Sequence, residues 1–478
     1  MIPLPVAELA AVLGAELAGP GDPAARVTSV TADSRNIASR SLFVALPGVR
    51  ADGHDFVPAA YAAGAVAALT RRPVPDALCL VVADPLVALG RLARHLVDRA
   101  APTGLRVVGI TGSQGKTSTK DLLSQVLETV GPTVAPAGNL NNELGVPLTV
   151  SRIDEHTRFL VAEMGARGIG HIAYLCDIAP PTVGAVLNVG HAHIGEFGGQ
   201  PAIAQAKGEL VEALPADGAA VLNAADPLVW AMRERTAAPV LGFAIDEPPP
   251  GAGVWATGLV ADPSGRYTFR LQATGLPGPT ADGAAGVALQ VAGRHQVGNA
   301  LAAAAAGLAL GLDLEQVAAG LNRATARSRW RMELHQRDDG VTVLNDAYNA
   351  NPDSMAAAVG TLAELSAGRS RRTWAVLGDM LELGEAAEQA HADLGALVAT
   401  SGIDRLVAVG AYAEPMVAAA RDRGLNGGAV RAFADKATAQ AEVLAGLAPG
   451  DVVLVKASRG LALDTVAEAI LAFGEGSA

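Results

Sequence analysis

The stretch GITGSQGKTSTK, residues 109–120, follows the apolar run Leu105–Val108. Gly112 and Gly115 free the backbone to turn, so that successive N–H groups around Ser113 and Gln114 can face one point. Lys116 adds a positive charge, and the Thr117 hydroxyl can reach a Mg²⁺ ion. The helix expected from Lys116 onward, with Ser118 in its first turn, adds its positive end. The strict spacing G-x-x-x-x-G-K-[ST] would need Gly at 110, where the chain has Ile110; the loop reads T-G-S-x-G-K-T instead. The chemistry expected is the cradling of a nucleotide's phosphates by Gly112–Ser118. Whether the terminal phosphate goes to water, to a protein or to a small molecule is not decided by the loop. A second candidate is Glu163, at the end of the apolar segment RFLVAEMG. A lone strand-end acid reads as a solvated terminus. One βα unit after a phosphate loop, it reads as a Mg²⁺ partner.

The elements that must position these groups repeat as strand, loop, helix. LRVVGIT reads as a buried strand, and the helix after the loop carries Leu122, Leu123, Val126 and Leu127 on one face. RFLVAEMG, TVGAVLNVG and GAAVLNAAD are further apolar strands ending in polar residues. This alternation implies a parallel sheet covered by helices. The fold class expected is α/β in three domains. Residues 1–103 form a small α/β unit, ending at the Pro/Gly linker RAAPTG. Residues 104–327 form a P-loop parallel-sheet domain, with the Pro/Gly-rich segment 247–290 as a peripheral insertion or small sheet. Residues 328–478 form a second doubly wound, Rossmann-like unit, whose strands end at DAYNANPDS, LGDM and VKASRG. Ligands should gather at the carboxyl ends of the strands.

Composition narrows the function. The 478 residues are 50% hydrophobic but only 4% aromatic, so Ala, Leu and Val must fill the cores. A net charge of −12 argues against a nucleic-acid partner. Two cysteines suit a reducing compartment. The N-terminus lacks a signal-peptide pattern, and the Ala-rich run 299–312 is short for a membrane span and reads as a buried helix. A cytoplasmic monomer is the expectation.

Three further segments, GNLNNELGVPLT (138–149), NVGHAHIGEFGG (188–199) and QAKGEL (205–210), stand with the loop and AEMGA in the order and spacing of the Mur ligase family. The chain resembles that family over nearly its whole length. NDAYNANPDSM and LGDMLELGE are similar to the members that add D-alanyl-D-alanine to UDP-N-acetylmuramoyl-tripeptide. The D-Y-A-H-x-P-D and D-N-P-R stretches of third-residue-adding members are absent. The resemblance implies ATP, two Mg²⁺ ions and an acyl-phosphate route to an amide. It assigns Mg²⁺ to Thr117 and Glu163, and a second Mg²⁺ to His193 rather than the nearby His191. It implies that Lys207, a surface lysine on sequence alone, carries a CO₂-derived carbamate able to bind Mg²⁺ or orient Lys116. Asn299 and Arg329 are similar to contacts with adenine and phosphates, and Asp346 to the acid that meets ribose or the γ-phosphate. Tyr348, Asn349 and Asn351 are candidates to orient nucleotide and dipeptide, although their loop also reads as a turn with an N-cap. Ser34, Arg35, Asp52 and His54 are placed at the uridine diphosphate, and Asn139, Asn141, Asn142 and Thr149 at the diphosphate and sugar. Two departures stand out: Ala457 replaces a usual Gly, and Ser328-Arg329 stands where the family has Gly-Arg.

Two rival readings remain open at this level. A folylpolyglutamate-type ligase would not be expected to carry the first domain or NANPDS. A P-loop ATPase without amide chemistry would release phosphate without needing both acceptors. The third residue of the acceptor peptide is not marked by any motif.

Overall fold

In a computed structural model, residues 1–48, 51–190, 197–275, 282–366 and 371–473 are described. They form three main sheets, and the strand assignments follow the apolar runs of the sequence.

The first sheet has five strands, in the order Glu16–Ala18, Cys79–Val81, Ala65–Thr70, Ser41–Val44 and Ser29–Thr31. Its strands are parallel except at Glu16–Ala18. The amphipathic helix Pro85–Ala100 buries Leu89, Leu92 and Leu96 against it. Asp84 caps that helix by accepting from the Leu86 and Val87 N–H groups. The expected linker at 99–104 is short and regular: the helix runs into a 3₁₀ turn, Ala101–Thr103, and Leu105 is already buried.

The central sheet has nine strands. The phosphate-loop strand Arg106–Thr111 lies between Phe159–Glu163 and Val183–Val186, parallel to both. Ala219–Asn223, Val240–Ile245 and Gly253–Ala261 continue the parallel order outward. Arg266–Thr274 and Gly283–Ala292 then close that edge as antiparallel strands. The segment 247–290, expected as a peripheral insertion or small sheet, is strand as RYTFRLQ suggested, but it extends this sheet. Its alternation of buried and exposed residues, as in Arg266–Thr274, is what an edge with one covered face requires.

The Ala-rich helix His295–Ala309 is buried, with Ala302–Ala306 fully inaccessible. Small side chains let it pack closely between the sheet and the helix Lys116–Glu128. That helix presents Leu122, Leu123, Val126 and Leu127 to the same core, each contributing roughly 1.5–3 kcal/mol. At Gly320, on the helix Leu314–Arg323, an added Cβ would lie 2.9 Å from the Val126 Cα.

The third sheet has six strands, in the order Glu333–Gln336, Thr342–Asn345, Val452–Lys456, Thr373–Gly378, Arg405–Val409 and Val430–Phe433. All pairs are parallel except the first. No helix among the described residues is long and apolar enough to cross a membrane.

Candidate active site

A cleft of about 840 Å³ opens at the carboxyl ends of the central strands and faces the carboxyl ends of Thr342–Asn345 and Val452–Lys456. Its floor is the loop Gly112–Ser118. Gly115 adopts φ +81°, and a Cβ there would strike the Asn299 Oδ1. The loop is held by Asn188, which follows Val183–Val186. Asn188 accepts from Gln114 N–H through Oδ1 at 3.0 Å and from Ser113 N–H through its carbonyl at 3.1 Å. The Gly190 N–H donates to the Ser113 hydroxyl at 2.9 Å.

Thr117 and Glu163 meet as their spacing suggests. The Thr117 hydroxyl donates to Glu163 Oε2 at 3.0 Å, and Asn141 Nδ2 donates to Glu163 Oε1 at 2.8 Å. The buried pair presents hard oxygen donors. It leaves most positions of an octahedral ion to phosphate oxygens and water, which is how Mg²⁺ is commonly held. Among the described residues no group of three or more His, Cys, Asp or Glu forms a ready-made metal cage. His193, expected at a second ion, and His191 lie outside the described residues.

Lys207 is not a surface lysine. It lies on the helix Gln200–Glu212 and is 6% exposed, lining the cleft. Burial, reinforced by the Lys116 charge, holds its amine well below the usual lysine range. Burial also lowers Lys116; Glu163 opposes that shift, and Arg331 adds to it. The helix is fixed from outside. Glu209 accepts from the Gly170 and Ala173 N–H groups, and Arg235 donates to the Ala204 and Gln205 carbonyls. Gly208 leaves room there for the Arg235 guanidinium, which a Cβ would displace.

From the third sheet, Asp346 reaches the cleft and pairs with Lys456 at 2.6 Å; Lys456 also donates to the Asn349 carbonyl at 2.8 Å. Asn299 donates to Gln296 Oε1 at 2.9 Å. Asn139, Asn142, Tyr348, Asn349 and Asn351 line the cleft as well. The turn reading of the Asn351 loop holds together with its place in the cleft: Asn351 Oδ1 caps the following helix by accepting from the Ser354 N–H at 2.9 Å.

Several expected residues lie elsewhere. Arg329 is exposed and pairs with Glu468 at 3.2 Å. Arg331 lines the cleft instead: its guanidinium is 3.4 Å from the Thr117 hydroxyl and stacks 4.1 Å over the Tyr348 ring. The backbone shows why the register slips by two. Trp330 has φ +58°, a left-handed conformation that favours Gly, and this turns the next side chain, Arg331, toward the cleft. Thr149 is buried and donates to the Gly145 carbonyl inside its own helix, away from the cleft. His54 is buried with both ring nitrogens used, by Asp52 at 2.6 Å and by the Arg71 N–H at 3.0 Å, which makes it a staple of the first domain. Ser34, Arg35 and Asp52 also lie off the cleft; Arg35 is exposed and pairs with Asp33.

Sequence reasoning missed Asn188, Arg331, Lys456 and His295. Burial lowers the His295 imidazole to about 4, with Asp346 opposing the shift and Lys456 adding to it. A signal was available for Arg331, since two arginines stand two apart. The carbonyl-and-amide role of Asn188 has no sequence signature.

The comparisons agree with this geometry. Residues 110–307 match the Mur ligase middle domain, 330–459 the Mur ligase glutamate ligase domain, and 26–94 the Mur ligase family catalytic domain. The chain belongs to the Mur ligase family. Like other Mur ligases, it is an ATP-dependent ligase. It is 45% identical to the UDP-N-acetylmuramoyl-tripeptide--D-alanyl-D-alanine ligase of Mycobacterium tuberculosis, over 99% of this chain and 98% of that one. Among solved structures it is similar to MurF from Acinetobacter baumannii, with a TM-score of 0.85, 32% identity and 98% and 99% of the two chains covered. It is also similar to the MurF ligase of Thermotoga maritima in complex with ADP, with a TM-score of 0.76, 27% identity and 95% and 99% covered.

Proposed function

We propose that this Mur ligase joins D-alanyl-D-alanine to UDP-N-acetylmuramoyl-tripeptide, acting as a cytoplasmic monomer in peptidoglycan precursor synthesis. Residues 1–103 would bind the uridine end, 104–327 the ATP, and 328–478 would complete the ATP and dipeptide sites. The observation that carries the reading is the facing of two charge sets across one cleft. Lys116, Thr117, Glu163 and Lys207 stand on the central side, and Arg331, Asp346 and Lys456 on the other. The printed names of the similar proteins support the substrate assignment.

A carboxylate must first become a better leaving group. Its oxygen attacks the γ-phosphorus of ATP, the bond to the bridging oxygen breaks, and ADP leaves. The dipeptide's neutral amine then attacks the carbonyl carbon of the acyl phosphate. The C–O bond breaks, phosphate carries away that oxygen, and the amine's surplus proton passes to water. The chain's own work is positioning and charge neutralisation. The main-chain N–H groups of Gly115–Thr117, at the start of the helix, and the Lys116 amine would hold the outer phosphates, while Asn188 keeps the Ser113 and Gln114 N–H groups engaged. Arg331 meets charge that builds on the transferred group. Thr117 and Glu163 would hold Mg²⁺, which when bound spreads the phosphate charge. Asn299 and Gln296 lie where adenine would rest, and Asn139 and Asn141 where the acceptor approaches. Closure over the cleft excludes water, which would otherwise hydrolyse the acyl phosphate.

Lys207 enters as a carbamate. Its neutral amine forms a C–N bond to CO₂ and releases a proton to water, so a buried neutral amine becomes an anion beside Lys116. The depressed amine and its burial support this.

Oxygen-18 tracing tests the whole reading. Label in the tripeptide's terminal carboxylate should appear in the released phosphate, and only with D-alanyl-D-alanine present for full turnover. Unlabelled phosphate would remove the acyl-phosphate route.

A further inference from the structure

Two charged side chains on the central side of the cleft have no role in the phosphate chemistry. Arg167 lies on the loop after the strand Phe159–Glu163, four residues beyond Glu163. Glu143 lies on the loop before the helix Gly145–Val150. Both are exposed and both line the cleft. The two loops are tied together. Asn141 holds Glu163 at 2.8 Å, and its carbonyl accepts from the Gly165 N–H at 2.8 Å. Only the main-chain N–H of Arg167 is engaged, donating to His171 Nδ1 at 3.2 Å. Among the described residues neither the Arg167 guanidinium nor the Glu143 carboxylate has an ion-pair partner, and the two do not pair with each other.

The position of these charges relative to the reaction is constrained. The acceptor's reacting carboxylate must approach Lys116, Thr117 and Glu163 to reach phosphorus. The third residue's side chain branches from the carbon that bears this carboxylate. It would therefore extend toward the loops adjoining Glu163, which carry Arg167 and Glu143, and Leu140 on the second loop adds apolar surface to the same cleft.

We propose that Arg167 and Glu143 together read the third residue of the acceptor peptide and select a side chain ending in a zwitterion, as in 2,6-diaminopimelate, over one ending in a bare amine, as in lysine. The inference rests on the ligase reading above and names its substrate class. Arg presents a planar fork that takes a carboxylate through two parallel hydrogen bonds. Glu143 accepts from the ammonium on the same carbon. A lysine side chain satisfies Glu143 but leaves the guanidinium without its partner. Selectivity then comes from a charged donor that only one substrate can satisfy.

The test compares kcat/KM for UDP-N-acetylmuramoyl-tripeptides ending in meso-diaminopimelate and in L-lysine, with saturating ATP and D-alanyl-D-alanine and phosphate release as the readout. The wild-type enzyme should prefer diaminopimelate by about tenfold or more, the range expected for one charge-assisted hydrogen bond. R167A should bring the ratio close to one, chiefly through KM for the diaminopimelate substrate. R167K should restore part of it. An equal loss with both tripeptides would overturn the proposal, because it would place Arg167 on a group they share, such as the D-glutamyl carboxylate. A wild-type enzyme without preference would overturn it too. Failure to turn over either tripeptide would instead sink the ligase reading, so the two failures are distinguishable.

Discussion

Replacing Arg331 and Arg329 separately tests the geometry most directly, because only Arg331 lines the cleft. Arg331 lies 3.4 Å from the Thr117 hydroxyl and 4.1 Å from the Tyr348 ring centroid. A transferred phosphoryl group beside Thr117 would stand within contact range of the guanidinium. Two unit charges about 4 Å apart interact by about 4 kcal/mol at an effective dielectric of about 20. Not all of that is specific to the transition state. Loss of a preorganised donor to a developing oxyanion typically costs about 100- to 1,000-fold in kcat. R331A should therefore lower kcat/KM by about that factor, with a further cost of about 0.5–1 kcal/mol in stability from the lost stacking on Tyr348. Arg329 pairs with Glu468 at the surface, an interaction worth about 0–1 kcal/mol. R329A should keep its activity within about twofold, since an exposed pair remote from the phosphates has nothing to contribute to their charge. The assay is ATP-dependent phosphate release with both acceptors present, with thermal unfolding as the control for folding. If R329A loses as much activity as R331A, or if R331A stays within about threefold of wild type, the placement of Arg331 at the transferred phosphate is wrong.

Four other outcomes are expected. K207A should be inactive and partly restored by added formate or acetate; full activity without rescue would dismiss the carbamate. D121A should destabilise the protein by about 3–5 kcal/mol in urea unfolding, because it strips the buried Lys120 of the carboxylate that also holds Ser328; a change below about 1 kcal/mol would show that the clamp carries no weight. His295 has an ordinary value of 6.5 and is held at about 4, so the unfolded chain binds the extra proton between those values. Its contribution is complete above pH 6.5 and declines as pH falls toward 4, by up to about 3 kcal/mol, and H295Q should flatten that part of the stability profile. G115A should weaken ADP binding about tenfold or more by calorimetry, since the residue needs φ +81° and its Cβ meets Asn299; unchanged affinity would mean that the loop can shift without loss.

The sequence was legible where chemistry and local geometry coincide. The phosphate loop had to follow a buried strand and open a helix, and it does. Glu163 was reachable because strand ends converge in a parallel sheet. Lys207 was not, because a helix of mixed composition does not reveal which face another helix will cover. The antiparallel edge formed by Arg266–Thr274 and Gly283–Ala292 was hidden by its surrounding Pro and Gly residues, which mark breaks but not sheet membership. The first-domain residues show a different limit. Asp52 and His54 look like a polar turn ready for a ligand, yet their side chains are spent on each other and on the Arg71 N–H. A single sequence shows which side chains can bind, not which are already engaged.

The slip from Arg331 to Arg329 exposes the mechanical design of the connection. Before it, Ser328 is clamped to the helix of the phosphate loop by Asp121, while Arg327 forks onto Glu128. After it, the Met332 N–H donates to Asp346 on the third sheet at 3.2 Å. Only residues 329–331 lie between the two anchorages. Trp330 and Met332 both hold left-handed backbones, at φ +58° and +52°, a conformation that costs a bulky residue about 1–3 kcal/mol. Packing against the third domain repays that cost: Arg331 rests on Tyr348, and Arg459 rests on Trp330 with its guanidinium 4.2 Å from the ring centroid. Any swing of the third domain must turn about these three residues, and it cannot turn without moving Arg331 relative to Thr117. Opening the cleft by such a swing would therefore carry Arg331 away from Thr117, so closure and the return of this cation would be one motion.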